Sequence, residues 1–195
     1  MKLKNILMAS MIVGATMVGS SAFAENVGKT VSIDLTSNGV GGWHGVFGGA
    51  YTAADTSNTF SDRFLFNLTG NYSSSGTITS TFLNTNPVQD LVITGYSLVK
   101  YDPVTNAVLN TINGTNALGS GVGTNDYWSF NTTGLTAGSY YIAVDGVVQG
   151  AGGGTYASDL NLAIAPVPEA ETYAMMVAGL GLLGFVARRK KSKQA

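Results

Sequence analysis

His44 is the only histidine in the chain, so any histidine-based catalysis would depend on it. It lies in the segment Gly41-Gly42-Trp43-His44-Gly45, whose glycines predict a flexible loop. A Ser-His-Asp triad also needs a positioned serine and a carboxylate, and the sequence has no Gly-x-Ser-x-Gly nucleophile elbow. We therefore expect His44 to be an exposed or packed loop residue, and we predict no catalytic residue.

Metal-binding side chains are sparse in this sequence. With no cysteine and one histidine, the usual ligands of a zinc site are missing. A calcium site needs only oxygen ligands, which the sequence does supply. The oxygen-bearing candidates at or near predicted loops are Asp102, Asn106, Asp126, Asp145 and Asp159. They form no Asp-x-Asp-x-Asp series, so roles in turns and caps are favoured, and we predict no metal and no other cofactor.

Carboxylates offer two further kinds of chemistry. A glycosidase needs a pair of them, and because no glutamate lies between Glu25 and Glu169, such a pair would consist of aspartates. A secreted hydrolase is thus the least favoured function. Asp62 alternates in phase with Phe60 and Phe64, which predicts that it faces inward. An unpaired buried carboxylate is costly, so we expect Asp62 to bind backbone N–H groups or Arg63, or to lie at the open end of its strand.

Aromatic side chains offer a different chemistry, because their faces stack on sugar rings. The candidates for such a platform are Trp43, Tyr51, Tyr127 and Trp128. Aromatic residues also fill the cores of β-sandwiches, and we favour that role here. A carbohydrate-binding module remains the alternative function.

The elements that would position these residues are short alternating runs separated by Gly, Asn, Asp and Pro, a pattern typical of β-sandwiches and barrels. We predict a single all-β domain, an antiparallel jelly-roll-like sandwich of about nine strands. Asp102-Pro103 to Asn106 predicts a hairpin turn, and residues 113–125 predict a long loop. The predicted strand faces are Val31, Ile33 and Leu35; Phe60, Phe64, Phe66 and Leu68; Ile78 and Phe82; Leu91, Ile93 and Val99; Tyr140, Ile142 and Val144; Tyr156, Leu160, Leu162 and Ile164.

The charge of the central region differs from that of the whole chain. The net charge of the chain is −1, but residues 25–165 hold only three basic residues against nine acidic ones, a net charge of −6. Nucleic-acid binding needs clustered Lys and Arg, so we predict no nucleic-acid partner.

The N-terminus reads as a secretory signal peptide over residues 1–24. Lys2 and Lys4 precede an apolar run from Ile6 to Val18, and small residues at Ala22 and Ala24 supply a signal-peptidase site. The absence of cysteine excludes a lipoprotein anchor and disulfides. We therefore expect signal peptidase to process the chain during export.

The C-terminus has three parts in a fixed order. Pro166 and Pro168 keep the first part extended. An apolar stretch follows and predicts a membrane helix over about residues 172–187. A basic cluster then predicts a cytoplasmic membrane stop, formed by Arg188, Arg189, Lys190 and Lys191. A buried C-terminal helix and a plain membrane anchor are the alternatives.

Residues 167–189, from Val167-Pro168-Glu169 to Arg188-Arg189, closely resemble the PEP-CTERM sorting signal of exported proteins in Gram-negative bacteria that make exopolysaccharide. The resemblance implies an exosortase that recognises Pro168 and Glu169 and cleaves the signal. One residue departs from the pattern, because Ala170 stands where the family usually has a second proline. Phe60-Ser61-Asp62 also resembles the start of the FxDxxA motif of one PEP-CTERM group, with Leu65 in place of its alanine.

These observations predict a signal peptide at 1–24, a β-sandwich at 25–165 and a sorting signal at 166–195. By the resemblance, the precursor is held transiently in the inner membrane and is then released to the cell surface or extracellular matrix. The expected role is structural or adhesive, within an exopolysaccharide matrix such as a biofilm. We predict a non-enzymatic protein.

Overall fold

The computed structural model describes residues 24–118, 121–165 and 174–183. These residues form eleven strands, a short 3₁₀ helix at Ala53–Asp55 and an α-helix, α1, at 174–183. The strands are β1 (Thr30–Ser32), β2 (Thr36–Ser37), β3 (Trp43–Tyr51), β4 (Thr59–Leu68), β5 (Tyr72–Ser80), β6 (Leu91–Tyr101), β7 (Val108–Asn113), β8 (Thr115–Asn116), β9 (Tyr127–Leu135), β10 (Gly138–Val148) and β11 (Gly154–Ile164). The structure has eleven strands over these residues, whereas the sequence predicts about nine. The additional strands include β2 and β8, which are too short to show an alternating pattern.

The strands of the described residues build two sheets. One has five strands in the order β1-β4-β10-β6-β7, and the other has six in the order β2-β3-β11-β5-β9-β8. The expectation of a sandwich is confirmed. The expectation that it is wholly antiparallel is wrong at one pair, because β1 runs parallel to β4. Backbone hydrogen bonds hold the chain from Glu25 to Lys29 along β4 in the same direction and lead it into β1.

Eight of the strands pair as a nested ribbon. Strand β3 pairs with β11, β4 with β10, β5 with β9, and β6 with β7. The first four strands of the set therefore run beside the last four in reverse order. A ribbon of this kind rolled into two facing sheets is the arrangement of a jelly roll.

The core lies between the two sheets and follows the alternation of the strands. Phe60, Phe64, Phe66 and Leu68 are all buried, as predicted for one face of β4. Tyr140, Ile142 and Val144 are also buried from β10. Three residues of the predicted strand faces, Val31, Phe82 and Ile164, are not part of the buried core. Val31 and Ile164 are 41% and 53% exposed because they lie on an edge strand and at a strand end, and Phe82 lies beyond the end of β5.

Two connections bear on the predicted loops. The turn predicted from Asp102 to Asn106 joins β6 to β7, as expected. The loop predicted over residues 113–125 is shorter than expected, because β7 extends to Asn113 and β8 follows at Thr115–Asn116.

The predicted processing segments are described only in part. Ala24 is exposed and precedes the first strand, whereas Ala22 lies outside the described residues. Helix α1, whose residues are exposed, coincides with the middle of the predicted membrane helix. Within the described ranges, no helix has both the length and the apolar character needed to cross a membrane. Pro168, Glu169 and the basic residues Arg188, Arg189, Lys190 and Lys191 lie outside them.

Candidate functional site

Polar side chains form two rows on the outer face of the six-stranded sheet, where Val46 is also exposed beside Asp159. Across four neighbouring strands, His44 lies beside Asn161, Asn161 beside Ser75, and Ser75 beside Asn131. With neighbouring strands about 4.8 Å apart, this row is about 14 Å long. A second row places Asp159 beside Thr77, and Thr77 beside Ser129. We call this set the polar face: His44, Ser75, Thr77, Ser129, Asn131, Asp159 and Asn161.

A shallow hollow of about 170 Å³ lies on the polar face. It is lined by Asn38, Ser73, Ser74, Ser75, Asn131, Asn161, Leu162 and Ala163. The amide and hydroxyl groups in this lining can both donate and accept hydrogen bonds. The hollow therefore has the chemistry to contact the hydroxyl groups of a sugar, and it has no charged side chain.

Asp159 is the acidic member of the polar face. Its carboxylate accepts hydrogen bonds from the hydroxyl of Thr77 and from Nδ2 of Asn161, the latter at 2.7 Å. It lies within β11, not at a loop as the sequence predicted. These contacts hold the carboxylate against its neighbours and order the Asn161 amide beside the hollow.

The prediction of a loop at His44 is wrong, because the residue lies in β3 with Thr36 and Asn161 beside it. The glycine next to it serves packing: a Cβ on Gly45 would lie 2.7 Å from the side chain of Ile33. The neighbours of His44 across the sheet are thus a threonine and an asparagine, not the serine and carboxylate of a triad.

The four aromatic candidates do not form one platform. Tyr51 packs in the core against Phe60 with ring centroids 4.7 Å apart, and Trp128 packs against the core from β9. Both therefore have the predicted core role. Trp43 and Tyr51 lie at opposite ends of β3, and Tyr127 begins β9.

Trp43 stands apart from the other aromatics because it is 37% exposed. Its indole N–H donates to the hydroxyl of Tyr72 at 3.3 Å. Together they line a hollow of about 240 Å³ that also includes Leu35, Asn67, Leu68 and Thr69. A fixed, partly exposed indole beside an amide is suited to stacking on one sugar ring.

Asp62 is fully buried, and its inward direction is confirmed. One carboxylate oxygen accepts the backbone N–H of Lys29 at 2.8 Å, and the other accepts the hydroxyl of Tyr156. The bond to Lys29 is of the predicted kind, since a backbone N–H group was one of the two expected partners. The alternative partner, Arg63, instead lies over the ring of Tyr141 at 5.2 Å. Asp62 thus ties β4 to β11 in the opposite sheet and to the segment before β1.

The tyrosines around Asp62 stay in their neutral form over a wide pH range. Burial, followed by the hydrogen bond to Asp62, raises the pKa of Tyr156 far above its ordinary value. Burial also raises the pKa of Tyr51, with Asp62 contributing in the same direction. Both effects arise because a phenolate would have to form in a buried site beside a carboxylate.

Asp90 and Asp126 form a second buried carboxyl site, just before β6 and β9. Asp126 accepts the N–H of Ile93 at 2.5 Å and that of Gly121 at 3.2 Å. Asp90 accepts the N–H of Gly123 at 2.8 Å through Oδ2, whereas its Oδ1 is buried without a hydrogen-bond partner. Burial, with a contribution from Asp90, raises the pKa of Asp126.

The sequence singled out Asp126 as a loop residue but missed Asp90. No short motif links the two, and only the meeting of their loops brings them together. Neither lies in an open cleft, because Asp90 is 2% and Asp126 0% exposed, so they do not form the accessible pair that a glycosidase needs. Among the described residues, no group of three or more His, Cys, Asp or Glu side chains is placed to hold a metal.

The remaining candidate calcium ligands are Asp102, Asn106 and Asp145, and they lie in a turn or within a strand. Asp102 accepts the N–H groups of Val104 and Thr105, which lowers the pKa of its carboxyl, and this is the turn role favoured from the sequence. Asn106 adopts a φ of 58° in the same turn. Asp145 lies within β10, not near a loop as predicted.

Comparisons with solved structures found likenesses at low identity. A chain of the infectious bursal disease virus Gx strain is 16% identical with a TM-score of 0.35, and the match covers 62% of this chain and 33% of the viral one. The pre-peptidase C-terminal domain of collagenase from Bacillus anthracis is 15% identical with a TM-score of 0.30, covering 71% and 98%. PliG of Aeromonas hydrophila, a periplasmic inhibitor of g-type lysozyme, is 13% identical with a TM-score of 0.30, covering 70% and 99%.

This chain spans about a third of the length of the viral chain that it matches. At these TM-scores, the likenesses say nothing about function. No curated protein matches the chain.

The family model for the PEP-CTERM protein-sorting motif matches residues 166–191, which include Pro168 and Glu169. The motif implies an exported protein that an exosortase processes. Residues 166–191 therefore carry a PEP-CTERM protein-sorting motif.

Proposed function

We propose that this chain is a structural or adhesive protein of an exopolysaccharide matrix, and that its polar face contacts the polysaccharide. It is made as an inner-membrane precursor in a Gram-negative bacterium, processed by signal peptidase and an exosortase, and delivered to the cell surface or the matrix. No catalytic residue is part of this proposal. The observation that carries it is the row from His44 to Asn131, joined to a motif for export.

The polar face suits a polymer better than it suits a small ligand. Its row of side chains crosses four strands, and its hollow is shallow and uncharged. Amide and hydroxyl groups exchange hydrogen bonds with sugar hydroxyls at little net gain each, about 1 kcal/mol. Attachment through such a surface becomes strong only when many copies or many repeats bind together.

A binding experiment with the exported full chain tests this role. We expect the chain to be retained on the matrix polysaccharide of the producing cells, and the double variant Asn131→Ala, Asn161→Ala to lose most of that retention. The matched control is Ser97→Ala, Asn113→Ala, which changes a hydroxyl and an amide that lie beside each other on the other sheet, outside both hollows. Equal retention of wild type and the Asn131/Asn161 variant would reject the polar face as the contact surface.

The alternative function is a carbohydrate-binding module that recognises a short, soluble glycan. The hollow containing Trp43 and Tyr72 favours it, because the indole is exposed and held by a hydrogen bond. Under this alternative, Trp43→Ala removes binding on a glycan array while the Asn131/Asn161 variant still binds. The adhesive role predicts the opposite pattern, with retention on the polymer and no measurable affinity for short glycans.

Processing is tested separately by mass spectrometry of the mature C-terminus, in cells with and without the exosortase. We expect the Arg188–Ala195 tail to be absent only when the exosortase is present. The variant Glu169→Ala should keep the tail, whereas Glu25→Ala, outside the motif, should lose it as the wild type does. An intact tail in both cell types would contradict exosortase processing.

A further inference from the structure

Asp90 and Asp126 hold the same loop from two sides. Asp126 accepts the N–H of Gly121, and Asp90 accepts the N–H of Gly123, two residues further along. Gly123 has a φ of +80°, a conformation that glycine adopts without strain and that turns its N–H toward Asp90. Asp90 is fixed in turn by its own backbone, whose N–H donates to Gly153 at 2.9 Å.

One oxygen of this site is left without a partner. Oδ2 of Asp90 takes the N–H of Gly123, but Oδ1 is buried and accepts no hydrogen bond from the described residues. Burying a carboxylate costs free energy unless its charge is paired and its oxygens are hydrogen-bonded or bound to a metal. A positive charge, a shared proton or a bound cation offsets such a cost.

The basic side chains of the domain do not supply that charge. Between residues 25 and 165 the sequence has only Lys29, Arg63 and Lys100. The ammonium group of Lys29 donates to the carbonyl of Gly48 at 3.0 Å, and Arg63 lies over Tyr141. Lys100 donates to the hydroxyl of Thr136 at 2.6 Å. All three are engaged away from Asp90 and Asp126.

We propose that Asp90 and Asp126 bind a calcium ion, with Oδ1 of Asp90 as a direct ligand. The ion balances the two buried carboxylates and fixes the loop of residues 121–126 against the start of β6. This site is independent of the polar face and goes beyond the proposed matrix function.

The chemistry of the site selects calcium among the common metals. Both side chains offer oxygen only, so zinc lacks the nitrogen and sulfur ligands that it favours. Magnesium demands a near-ideal octahedron, whereas calcium accepts about 6–8 oxygens in irregular geometry, including backbone carbonyls and water. Two carboxylates beside a glycine-containing loop meet the looser requirement, with carbonyl groups and water completing the coordination.

Calcium titration of the full exported chain is the direct test. We expect the melting temperature to rise by about 5 °C or more when calcium is raised to about 100 times its dissociation constant, and to fall again with EDTA. Isothermal titration calorimetry should show about one ion per chain, in keeping with one site. A chain that binds no calcium, and whose melting temperature calcium leaves unchanged, would overturn the proposal.

The variant Asp90→Asn separates metal binding from folding. It keeps the shape of the side chain and an acceptor for Gly123 but removes the charge, so we expect it to fold without calcium. Its affinity for calcium should fall by about tenfold or more, since ligand charge sets calcium affinity. The matched control is Asp159→Asn, which removes a carboxylate from the polar face and should leave calcium affinity unchanged.

Two outcomes of that comparison would reject the assignment. One is full calcium affinity in Asp90→Asn, and the other is loss of affinity only in Asp159→Asn. Failure of calcium binding leaves polysaccharide retention by Asn131 and Asn161 untouched, so the two proposals are judged by different measurements.

Discussion

Asp62 and Asp90 are both buried aspartates of the same β-sandwich, yet their surroundings differ. Each oxygen of Asp62 has a donor, one from the backbone of Lys29 and one from Tyr156. Asp90 has a donor for one oxygen and none for the other. A buried carboxylate whose hydrogen bonds are complete ties strands together, whereas the carboxylate oxygen without a donor is where we propose that a cation binds.

The largest effect is expected from Asp62→Ala. The change leaves the Lys29 N–H and the Tyr156 hydroxyl buried without an acceptor, which should lower the free energy of unfolding by about 3–5 kcal/mol. Urea denaturation followed by fluorescence measures it. Asp145→Ala, on a half-exposed outer position of β10, is the control and should cost much less. Equal losses in both variants would mean that Asp62 has no special role.

Tyr156→Phe should have the next largest effect. It removes a hydrogen bond to a carboxylate, which is worth about 1.5–3 kcal/mol. Tyr96→Phe is a matched control, since the Tyr96 hydroxyl is also buried but is bonded to Ser158, at 3.0 Å. A neutral bond contributes about 0.5–1.5 kcal/mol. The same urea experiment should therefore rank Tyr156→Phe above Tyr96→Phe, and a reversed order would contradict the account of Asp62.

Alkaline pH should destabilise the domain through its buried tyrosines. Burial raises the pKa of Tyr51, Tyr96 and Tyr156 above the ordinary value of 10.0. Their contribution to stability is therefore complete below pH 10 and is lost as the pH rises, because only the unfolded chain then releases its protons. The loss reaches up to about 1.4 kcal/mol per pH unit for each tyrosine.

Urea midpoints at about pH 8, 10 and 11 measure this loss, since each reports the linked proton release. The variant Tyr156→Phe should lose less stability between the last two values than the wild type does. A midpoint that does not change over this range would show that these tyrosines ionise equally in the folded and unfolded chain.

Without calcium, Asp90→Asn should be neutral or slightly stabilising, by about 1 kcal/mol, because it removes an unpaired buried charge. Asp62→Asn should instead destabilise, because it replaces two hydrogen bonds to a charged carboxylate with weaker bonds to a neutral amide. Melting curves in EDTA compare the two. Similar destabilisation in both variants would erase the distinction between the two sites.

The smallest effect is expected at Asp102, a turn carboxylate that accepts two backbone N–H groups near the surface. These bonds lower its pKa below the ordinary 3.8. The resulting stability is present above that value and is lost as the pH falls through the lowered pKa. Asp102→Ala should therefore reduce stability slightly at neutral pH and not at strongly acidic pH, by thermal denaturation at both.

Much of the fold could be predicted from local patterns. Alternation placed Phe60, Phe64 and Asp62 on the inner face of one strand, because side-chain direction in a strand depends only on position along it. The turn at Asp102 followed from the local bonding of Asp and Asn. The loop predicted at His44 was wrong because its glycines allow close packing of strands, and sequence spacing alone does not separate that use from flexibility.

The all-β class, the scarcity of positive charge between residues 25 and 165 and the sorting motif at 166–191 follow from the amino-acid sequence alone, because composition and contiguous motifs are local properties. Which distant residues meet depends instead on the tertiary fold. Tyr156 reaches Asp62 across 94 positions, and Gly123 reaches Asp90 across 33. The row from His44 to Asn131 likewise exists only because the nested ribbon lays four strands side by side. Such meetings depend on how the two sheets bury their apolar faces together, and no short stretch of sequence carries that information.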